Sequence, residues 1–293
     1  MGKKSVNWLI EKTPFEEDIE PLLTEIENQG HNLKLIKYKP FESGNYRNLY
    51  NEKDCVIFYG SINLARQLQR ETPWVPGPVV NFRNYNCSTY YAHWGKYLLN
   101  NDYVMMPYAE LCRRRHQVCE MLGHATPEKS HLFIRPDDGC KTFGGHCVDE
   151  KDFKRLDGPV GPMTRPDTLI VAASPKSLYY EWRMIICDGK AISGSQYKLA
   201  DKLVISSKIP NSVWDKANEI ASSDWQPDRL YTLDLCNWGP TASHDLKTGC
   251  NDIYLLESNS FACAGLYDSN PEPIVREASR VALEEWQDIY EKE

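Results

Sequence analysis

The stretch from Asp252 to Ser260 constrains the chain most, because an apolar, strand-like run ends in an acid and an amide two positions apart. In a β-strand, residues i and i+2 point to the same face, so Glu257 and Asn259 are expected to share one side of the strand end. A carboxylate and an amide oxygen on one face suit Mg²⁺, which binds through one or two protein carboxylates and leaves its other positions to water and substrate phosphates.

A second acid belongs with this pair. Asp234 is the single internal charge of another strand-like run, 230–236. A buried acid costs free energy unless it is paired or binds a metal. Asp234, Glu257 and Asn259 together predict a magnesium–nucleotide site. The structural alternative is that Glu257 and Asn259 cap a strand and that Asp234 pairs with an arginine.

The spacing of apolar residues divides the chain near residue 86. In the first part, strand-like runs alternate with helical ones, which predicts a small open α/β domain over residues 1–86. The proline-rich stretch 72–78 is expected to interrupt this domain. The predicted strands are 5–10, 33–38, 54–60 and 79–82, and the predicted helices run from Phe15 to Ile26 and onward from Ser61.

Residues 87–293 are expected to form a second domain of α+β type, and a chain of 293 residues is long enough for two lobes with a cleft between them. The first domain and the aromatic segment 90–97 are expected to supply part of a substrate pocket. The predicted strands are 103–106, 131–136, 168–173, 179–187, 191–197, 230–236 and 252–260, and the predicted helices are 90–99, 111–122, 211–222 and a terminal helix from Val275 to Ile289.

A glycine-containing loop, 137–145, follows the predicted strand 131–136 and carries Lys141. Such a loop can bring backbone N–H groups and a lysine charge to phosphate oxygens. Its spacing is not that of a P-loop. A hairpin turn with incidental charges is the other interpretation of this segment.

Glu181 and Arg183 lie two positions apart in the predicted strand 179–187, so they are expected to share one face. They can form cross-strand ion pairs. They can also serve a cleft, in which the acid bonds a ribose hydroxyl and the arginine neutralises phosphate charge. The Asp188-Gly189 step after this strand predicts a hairpin turn.

Composition narrows the class of protein. The chain has 34 basic and 41 acidic residues and a formal charge of −7, which disfavours non-specific nucleic-acid binding by a basic face. It has no apolar run of membrane-spanning length and no secretory signal, so a cytoplasmic protein is expected. The ten cysteines lack the spacing of structural zinc sites and are expected to be reduced thiols.

The order of these motifs resembles the ATP-grasp superfamily, and more closely its clade with two functional arginines and a lysine, which is found in phage and bacterial proteins. The resemblance covers about residues 88–293. The matching segments are 131–136 with 141–145, 181–183 with 188–190, 231–234, and 256–259 with 264–267.

The resemblance implies an ATP-grasp fold, in which two α+β lobes clasp ATP, preceded by the small α/β domain. It implies a site that binds ATP and Mg²⁺. Three cations would be catalytic: Arg135 and Lys141 on the ATP phosphates, and Arg183 on the γ-phosphate as it transfers. Arg135 stands where many ATP-grasp enzymes have a lysine.

The other implied roles concern binding. Backbone groups of Val171, Ala172, Ala173 and Ser174 would hold adenine, Glu181 would bind the ribose, and Asp234, Glu257 and Asn259 would hold one or two Mg²⁺ ions.

The implied reaction joins a carboxylate to an amine. ATP would convert the carboxylate of a small molecule, peptide or protein into an acyl phosphate, and an amine would then displace phosphate. The alternatives are a kinase-like phosphotransferase, an ATP-binding regulatory protein without turnover, and a phage or host-interaction protein that uses the fold as a scaffold. A phage-encoded chain would act in the host cytoplasm.

Overall fold

The first strands of the chain form a parallel four-stranded sheet in the order β2-β1-β3-β4. The computed structural model describes residues 5–12, 19–38, 46–122, 125–126, 129–154, 160, 164–238 and 252–291. The strands of this sheet are β1 (Asn7–Glu11), β2 (Asn32–Ile36), β3 (Cys55–Tyr59) and β4 (Val75–Gly77).

Two helices cover opposite faces of this sheet. Helix α1 (Glu20–Asn28) packs its apolar residues with Trp8 and Ile10 of β1. Helix α2 (Ile62–Glu71) packs with Leu9 of the same strand. Because alternate residues of a strand point to opposite faces, α1 and α2 lie on either side of the sheet.

The other strands that the structure describes build two antiparallel sheets. The second sheet has the order β5-β9-β7-β6, with β8 paired to β7, and the third has the order β12-β11-β10-β13-β14. The strands of the second sheet are β5 (Tyr103–Pro107), β6 (Ala125–Thr126), β7 (Lys129–Pro136), β8 (His146–Asp149) and β9 (Leu169–Ala173). Those of the third are β10 (Leu178–Cys187), β11 (Lys190–Leu199), β12 (Lys202–Ser206), β13 (Leu230–Trp238) and β14 (Tyr254–Ser260).

Within the described ranges, four further α-helices lie around these sheets. They are α3 (Cys87–Trp94), α4 (Tyr108–Met121), α5 (Asn211–Ala221) and α6 (Pro271–Tyr290). Helix α4 packs on the second sheet, α5 packs on the third, and α6 packs on both the third and the parallel sheet. The parallel and third sheets therefore share a core. The combination of a parallel sheet, two antiparallel sheets and helices confirms the expected mixed α/β class with two α+β lobes.

Several predicted elements differ from the observed ones. The predicted strand 79–82 is wrong: the fourth strand is β4, inside the proline-rich stretch. Because β4 is an edge strand with a single neighbour, it tolerates prolines that lack a backbone N–H. The edge strand β12 was not predicted, and its residues 202–205 are exposed, so they leave no buried face for a pattern to reveal.

Helix boundaries also shift. Helix α1 begins at Glu20, and Phe15 lies outside the described residues. Helix α3 ends at Trp94, before the predicted end at residue 99. Tyr90, Tyr91 and Trp94 are buried in the core, so the expected substrate role of segment 90–97 is wrong for these three rings.

Nine cysteines lie in the part of the chain that the structure describes, and all nine are free thiols. No described helix is long and apolar enough to cross a membrane.

Removing the hydroxyl of Ser279 should destabilise the packing of α6 on the parallel sheet. The indole Nε1–H of fully buried Trp8 donates to Ser279 Oγ at 3.0 Å. Ser279→Ala leaves this donor without a partner, so we expect a loss of about 1–3 kcal/mol in the free energy of unfolding. Urea unfolding measures it, with exposed Ser207→Ala as a control that should change by less than about 0.5 kcal/mol. Equal values for the two variants would contradict the role of this bond.

Candidate active site

Charged side chains form a row across the third sheet. Arg183 of β10 is the register partner of Asp234 of β13, which in turn is the register partner of Glu257 of β14. Directly opposed residues of antiparallel strands point to the same face, so the three side chains lie side by side. The row exists because each of three adjacent strands contributes one charge at the same level.

The arginine and the first acid form a two-pronged ion pair. Arg183 Nε and Nη2 donate to Asp234 Oδ1 and Oδ2, each at 2.7 Å, and Arg183 Nη1 donates to the carbonyl of Gly265 at 3.0 Å. Asp234 is 1 % exposed. The structural alternative for Asp234, a pair with an arginine, is therefore present in the structure.

Asn259 connects the two acids. Its Nδ2 donates to Glu257 Oε1 at 3.0 Å and to Asp234 Oδ2 at 3.3 Å. The three residues predicted to bind a metal are thus brought together, and Glu257 and Asn259 share a face as their spacing predicts.

Two further cations reach this row from the second sheet and the loop after it. Arg135, near the end of β7, donates to Glu257 Oε2 at 2.9 Å, and Lys141 Nζ donates to Glu257 Oε1 at 3.1 Å. The register of β13 and β14 shifts beyond Asp234, so Leu256 has no partner on β13. The carbonyl of this bulged residue accepts a hydrogen bond from Arg135 at 3.4 Å. A β-bulge leaves its extra residue unpaired in the ladder, so the backbone of that residue can bond elsewhere.

Burial and charge act in opposite directions on the two acids. Burial raises the pKa of Asp234 to about 6, although the charge of Arg183 opposes this shift. Burial alone would also raise the pKa of Glu257, but the charges of Lys141 and Arg135 hold it well below its usual range. The two cations thus favour the ionised form of Glu257.

A second group extends the row toward β11. Glu181 accepts a hydrogen bond from the Tyr197 hydroxyl at 2.6 Å, and its other oxygen lies 3.1 Å from Lys198 Nζ. The ring of Tyr197 stacks on Tyr267 with centroids 5.0 Å apart. The guanidinium carbon of Arg183 lies 5.6 Å and 5.3 Å from these two ring centroids, within cation–π range.

The segment predicted to hold adenine lies where the second sheet leads into the third. Val171 and Ala172 are in β9, which pairs on one side with β5 and on the other with β7, so their backbone groups bond within the sheet. Ala173 is also paired on both sides, and Ser174 is the first residue beyond the strand. Ser174 Oγ donates to the carbonyl of Leu122 at 2.8 Å.

The donor set fits Mg²⁺ in chemistry, since two carboxylates and an amide supply oxygen ligands. Each of the four carboxylate oxygens already accepts a hydrogen bond from Arg183, Arg135 or Lys141. A metal bound by Asp234 and Glu257 would therefore share these oxygens with the cations or displace them. Among the described residues, His, Cys, Asp and Glu side chains form no group of three or more that could hold a metal.

Sequence reasoning missed Tyr197, Lys198 and Tyr267. Their contacts depend on which residue of β11 faces Glu181. The residue pattern of a single strand does not reveal its register with the neighbouring strand. Aromatic residues stand at both 197 and 267, but nothing in the sequence indicates that the two rings are in contact.

A family model of the ATP-grasp domain matches residues 112–276, which is more than half of the 293 residues. The model describes the second family of the clade that is named for two arginines and a lysine. The chain belongs to this family. The match includes every predicted site residue. A comparison with curated proteins gave no match.

Solved ATP-grasp structures resemble the whole chain in fold. D-cycloserine synthetase DcsG matches with a TM-score of 0.57 at 11% identity, over 95% of this chain and 100% of that protein. D-alanyl-alanine synthetase A from Vibrio cholerae O1 biovar eltor matches with a TM-score of 0.54 at 11% identity, over 97% and 98%. The ligase PsnB, in a complex with Mg and ADP, matches at 0.50 and 12% identity, over 95% and 100%. At these identities the likeness establishes the fold alone, and the ATP-grasp fold is confirmed.

Removing only the arginine of the buried Arg183–Asp234 pair should lower the free energy of unfolding more than removing both charges. Arg183→Met leaves the Asp234 carboxylate buried without its cation, so we expect a loss of about 3–5 kcal/mol in the free energy of unfolding. The double variant Arg183→Met/Asp234→Leu should recover a large part of this loss, because no uncompensated charge remains. Urea unfolding of both variants tests this, and a double variant less stable than the single one would contradict it.

Proposed function

We propose that this protein is an ATP- and Mg²⁺-dependent ligase that joins a carboxylate to an amine and releases ADP and phosphate. The observation that carries the proposal is the buried cluster in which Arg135, Lys141 and Arg183 surround Asp234 and Glu257. Three cations against two acids leave one positive charge in excess, which suits a polyphosphate that arrives with a divalent cation.

The site has the composition that phosphoryl transfer requires. This reaction depends on positioning and charge neutralisation more than on a protein nucleophile. Arg135, Lys141 and Arg183 would exchange their bonds to the acids for bonds to phosphate oxygens. Asp234, Glu257 and Asn259 would then hold Mg²⁺, which neutralises phosphate charge when bound.

The reaction would proceed in two steps. A carboxylate oxygen of the substrate attacks the γ-phosphorus, and the bond from that phosphorus to the bridging oxygen of ADP breaks. A neutral amine then attacks the carbonyl carbon of the acyl phosphate, loses a proton and expels phosphate. Arg183 would keep its bond to the carbonyl of Gly265 while it bonds the transferring group.

The nucleotide would extend from this cluster along the third sheet. Glu181 would bind the ribose, beside Lys198 and Tyr197, and Ala173 and Ser174 would contact adenine together with Val171 and Ala172. The names of two fold relatives, D-cycloserine synthetase and D-alanyl-alanine synthetase, support a ligase, and the Mg and ADP bound to PsnB support the cofactors. A cytoplasmic location agrees with the use of ATP.

Nucleotide products test the reaction. With Mg-ATP and a pool of amino acids and peptides, chromatography should detect ADP and phosphate that depend on the pool. Asp234→Asn and Glu257→Gln should each reduce this rate on the order of 10²-fold or more, because each removes a charge from the reacting site. Asp215→Asn, on the exposed face of α5, is the matched control.

Other products would select other functions. AMP and pyrophosphate would exclude an acyl phosphate route, and ADP formation without any amine would favour a phosphotransferase. Tight ATP binding without turnover in the presence of the pool would favour a regulatory ATP-binding protein.

Neutralising Lys141 should weaken ATP binding more than it slows turnover. Its side chain is 40% exposed and reaches Glu257 from a loop, so it acts as a point charge on the nucleotide. We expect Lys141→Gln to raise the KM for ATP on the order of tenfold, measured by initial rates of ADP release. Lys151→Gln, at a 75% exposed lysine paired with Asp149, should leave this KM unchanged. A similar rise in both variants would point to a general charge effect.

A further inference from the structure

Two tyrosine rings lie against the guanidinium of Arg183. Within the described part of the chain, this guanidinium makes three hydrogen bonds, two to Asp234 and one to the carbonyl of Gly265. The ring centroids of Tyr197 and Tyr267 lie 5.6 Å and 5.3 Å from its carbon atom. The rings are thus the uncharged part of the surroundings of Arg183.

The ring contacts become more important when Asp234 binds a metal. Both of its oxygens accept hydrogen bonds from Arg183, so a cation at Asp234 would share these oxygens or displace the arginine from them. Arg183 would then keep the carbonyl of Gly265 and the two rings. A single hydrogen bond lets a guanidinium turn about that bond, whereas contacts with two rings also restrict its plane.

Tyr197 lies at an irregularity of β11. Its neighbours Gln196 and Lys198 pair with consecutive residues of β10, so Tyr197 has no partner on that strand. It is the extra residue of a β-bulge, a feature that redirects a side chain and is frequent next to active sites. Tyr197 is 9% exposed, and its hydroxyl donates to Glu181 at 2.6 Å. The bulge therefore fixes the ring at both its backbone and its hydroxyl.

Tyr267 is held beside Tyr197 in an unusual backbone conformation. Its φ of 53° lies in the left-handed region, which a bulky residue adopts only at a cost in free energy. The next residue, Asp268, is bound on two sides: its N–H donates to Ser195 Oγ at 3.3 Å, and its Oδ2 accepts from the N–H of Ser207 at 2.9 Å. Backbone strain persists where the surroundings fix the conformation, and such positions are concentrated at functional sites.

The two rings form one continuous wall. Their planes are 8° apart and their centroids 5.0 Å apart, although one ring comes from β11 and the other from the segment after β14. Because Tyr197 bonds Glu181, the acid proposed for the ribose, the wall extends from that acid to Arg183. The same pair of rings therefore lies along the expected course of the nucleotide.

We propose that Tyr267, stacked on Tyr197, is a positioning residue that keeps Arg183 directed at the transferring phosphoryl group while Asp234 binds the metal. This proposal rests on the proposed ligase function and adds to it a residue that acts through Arg183. The rings supply neither charge nor a proton. They hold a cation in the place where negative charge is transferred, so the cation does not have to reorient during the reaction.

Direct contact with the substrate is the rival role for Tyr267. Together with Leu266, Ser269 and the start of α1, this residue lines a cavity of about 20 Å³, which has room for about one water molecule. Contact with the substrate would change the KM for the substrate, whereas positioning of Arg183 changes kcat. The two roles are therefore separable by kinetics.

Variants at position 267 make this separation. Tyr267→Phe keeps the ring, and Tyr267→Asn removes it but suits the positive φ, because asparagine adopts the left-handed region more readily than most residues. The assay supplies Mg-ATP and a saturating pool of free amino acids and dipeptides. Hydroxylamine takes the place of the amine and converts the acyl phosphate into a hydroxamate and phosphate, and hydroxamate and ADP are measured.

We expect Tyr267→Phe to keep a rate within about twofold of wild type. Tyr267→Asn should lower the rate on the order of tenfold to a hundredfold, because the phosphoryl group is no longer met by a fixed cation. The Kd for Mg-ATP, measured by calorimetry, should change by less than about twofold in both variants.

Two further variants serve as controls. Tyr267→Gly is a second variant without the ring, and it keeps the fold because glycine adopts a positive φ without strain, so its rate should fall as well. Tyr290→Asn changes a tyrosine near the end of α6, whose ring lies 6.0 Å from Lys53 Nζ, and it should behave as wild type.

The outcomes decide between the roles. Equal rates for Tyr267→Phe and Tyr267→Asn would overturn this inference while the ligase stands. A rate of Tyr267→Asn that returns to the wild-type value at a higher pool concentration would assign Tyr267 to the substrate, and a loss of rate matched by a loss of Mg-ATP affinity would assign it to nucleotide binding. Absence of hydroxamate and ADP with wild-type protein would overturn the ligase and this inference with it.

Discussion

The contacts between Glu257 and two cations link the third sheet to the second sheet and to the loop that follows β7. Arg135 reaches Glu257 from β7 of the second sheet, and Lys141 reaches it from the loop that follows. These contacts add to an apolar core that the two antiparallel sheets already share, since Val171 of β9 packs in one cluster with Trp182 of β10 and Leu233 of β13. Because the Arg135–Glu257 pair is largely shielded from water, its attraction is less screened than that of surface ion pairs, whereas Lys141 is 40% exposed.

The precision of the cluster comes from strand register. Arg183, Asp234 and Glu257 are neighbours because β10, β13 and β14 pair in one register, and a slip of one residue would send a side chain to the opposite face. The bulge at Leu256 adds a carbonyl for Arg135. Rigid strands therefore set the positions of the acids and Arg183, while Lys141 stands on a loop that can follow a ligand.

Much of this arrangement could be predicted from sequence, for identifiable reasons. A period of two places Glu257 and Asn259 on one face, and the ordered motifs identify the ATP-grasp fold and its clade. Contacts between strands could not be predicted in the same way: the Tyr197–Tyr267 stack and the Lys198–Glu181 pair depend on long-range register. The strand at 75–77 was missed because proline argues against a strand, and a single sequence does not show that this strand lies at the edge of the sheet. The adenine, ribose and metal roles remain predictions.

The ion pairs of the cluster also have a consequence for the affinity of the proposed site for a nucleotide. The carboxylates of Asp234 and Glu257 occupy the same cations that would hold phosphate, so the protein carries its own competitor for the nucleotide. Net affinity is then the difference between two sets of strong bonds. If the proposed reaction takes place here, this competition would weaken the binding of ADP, because the acids would regain their partners as the product leaves.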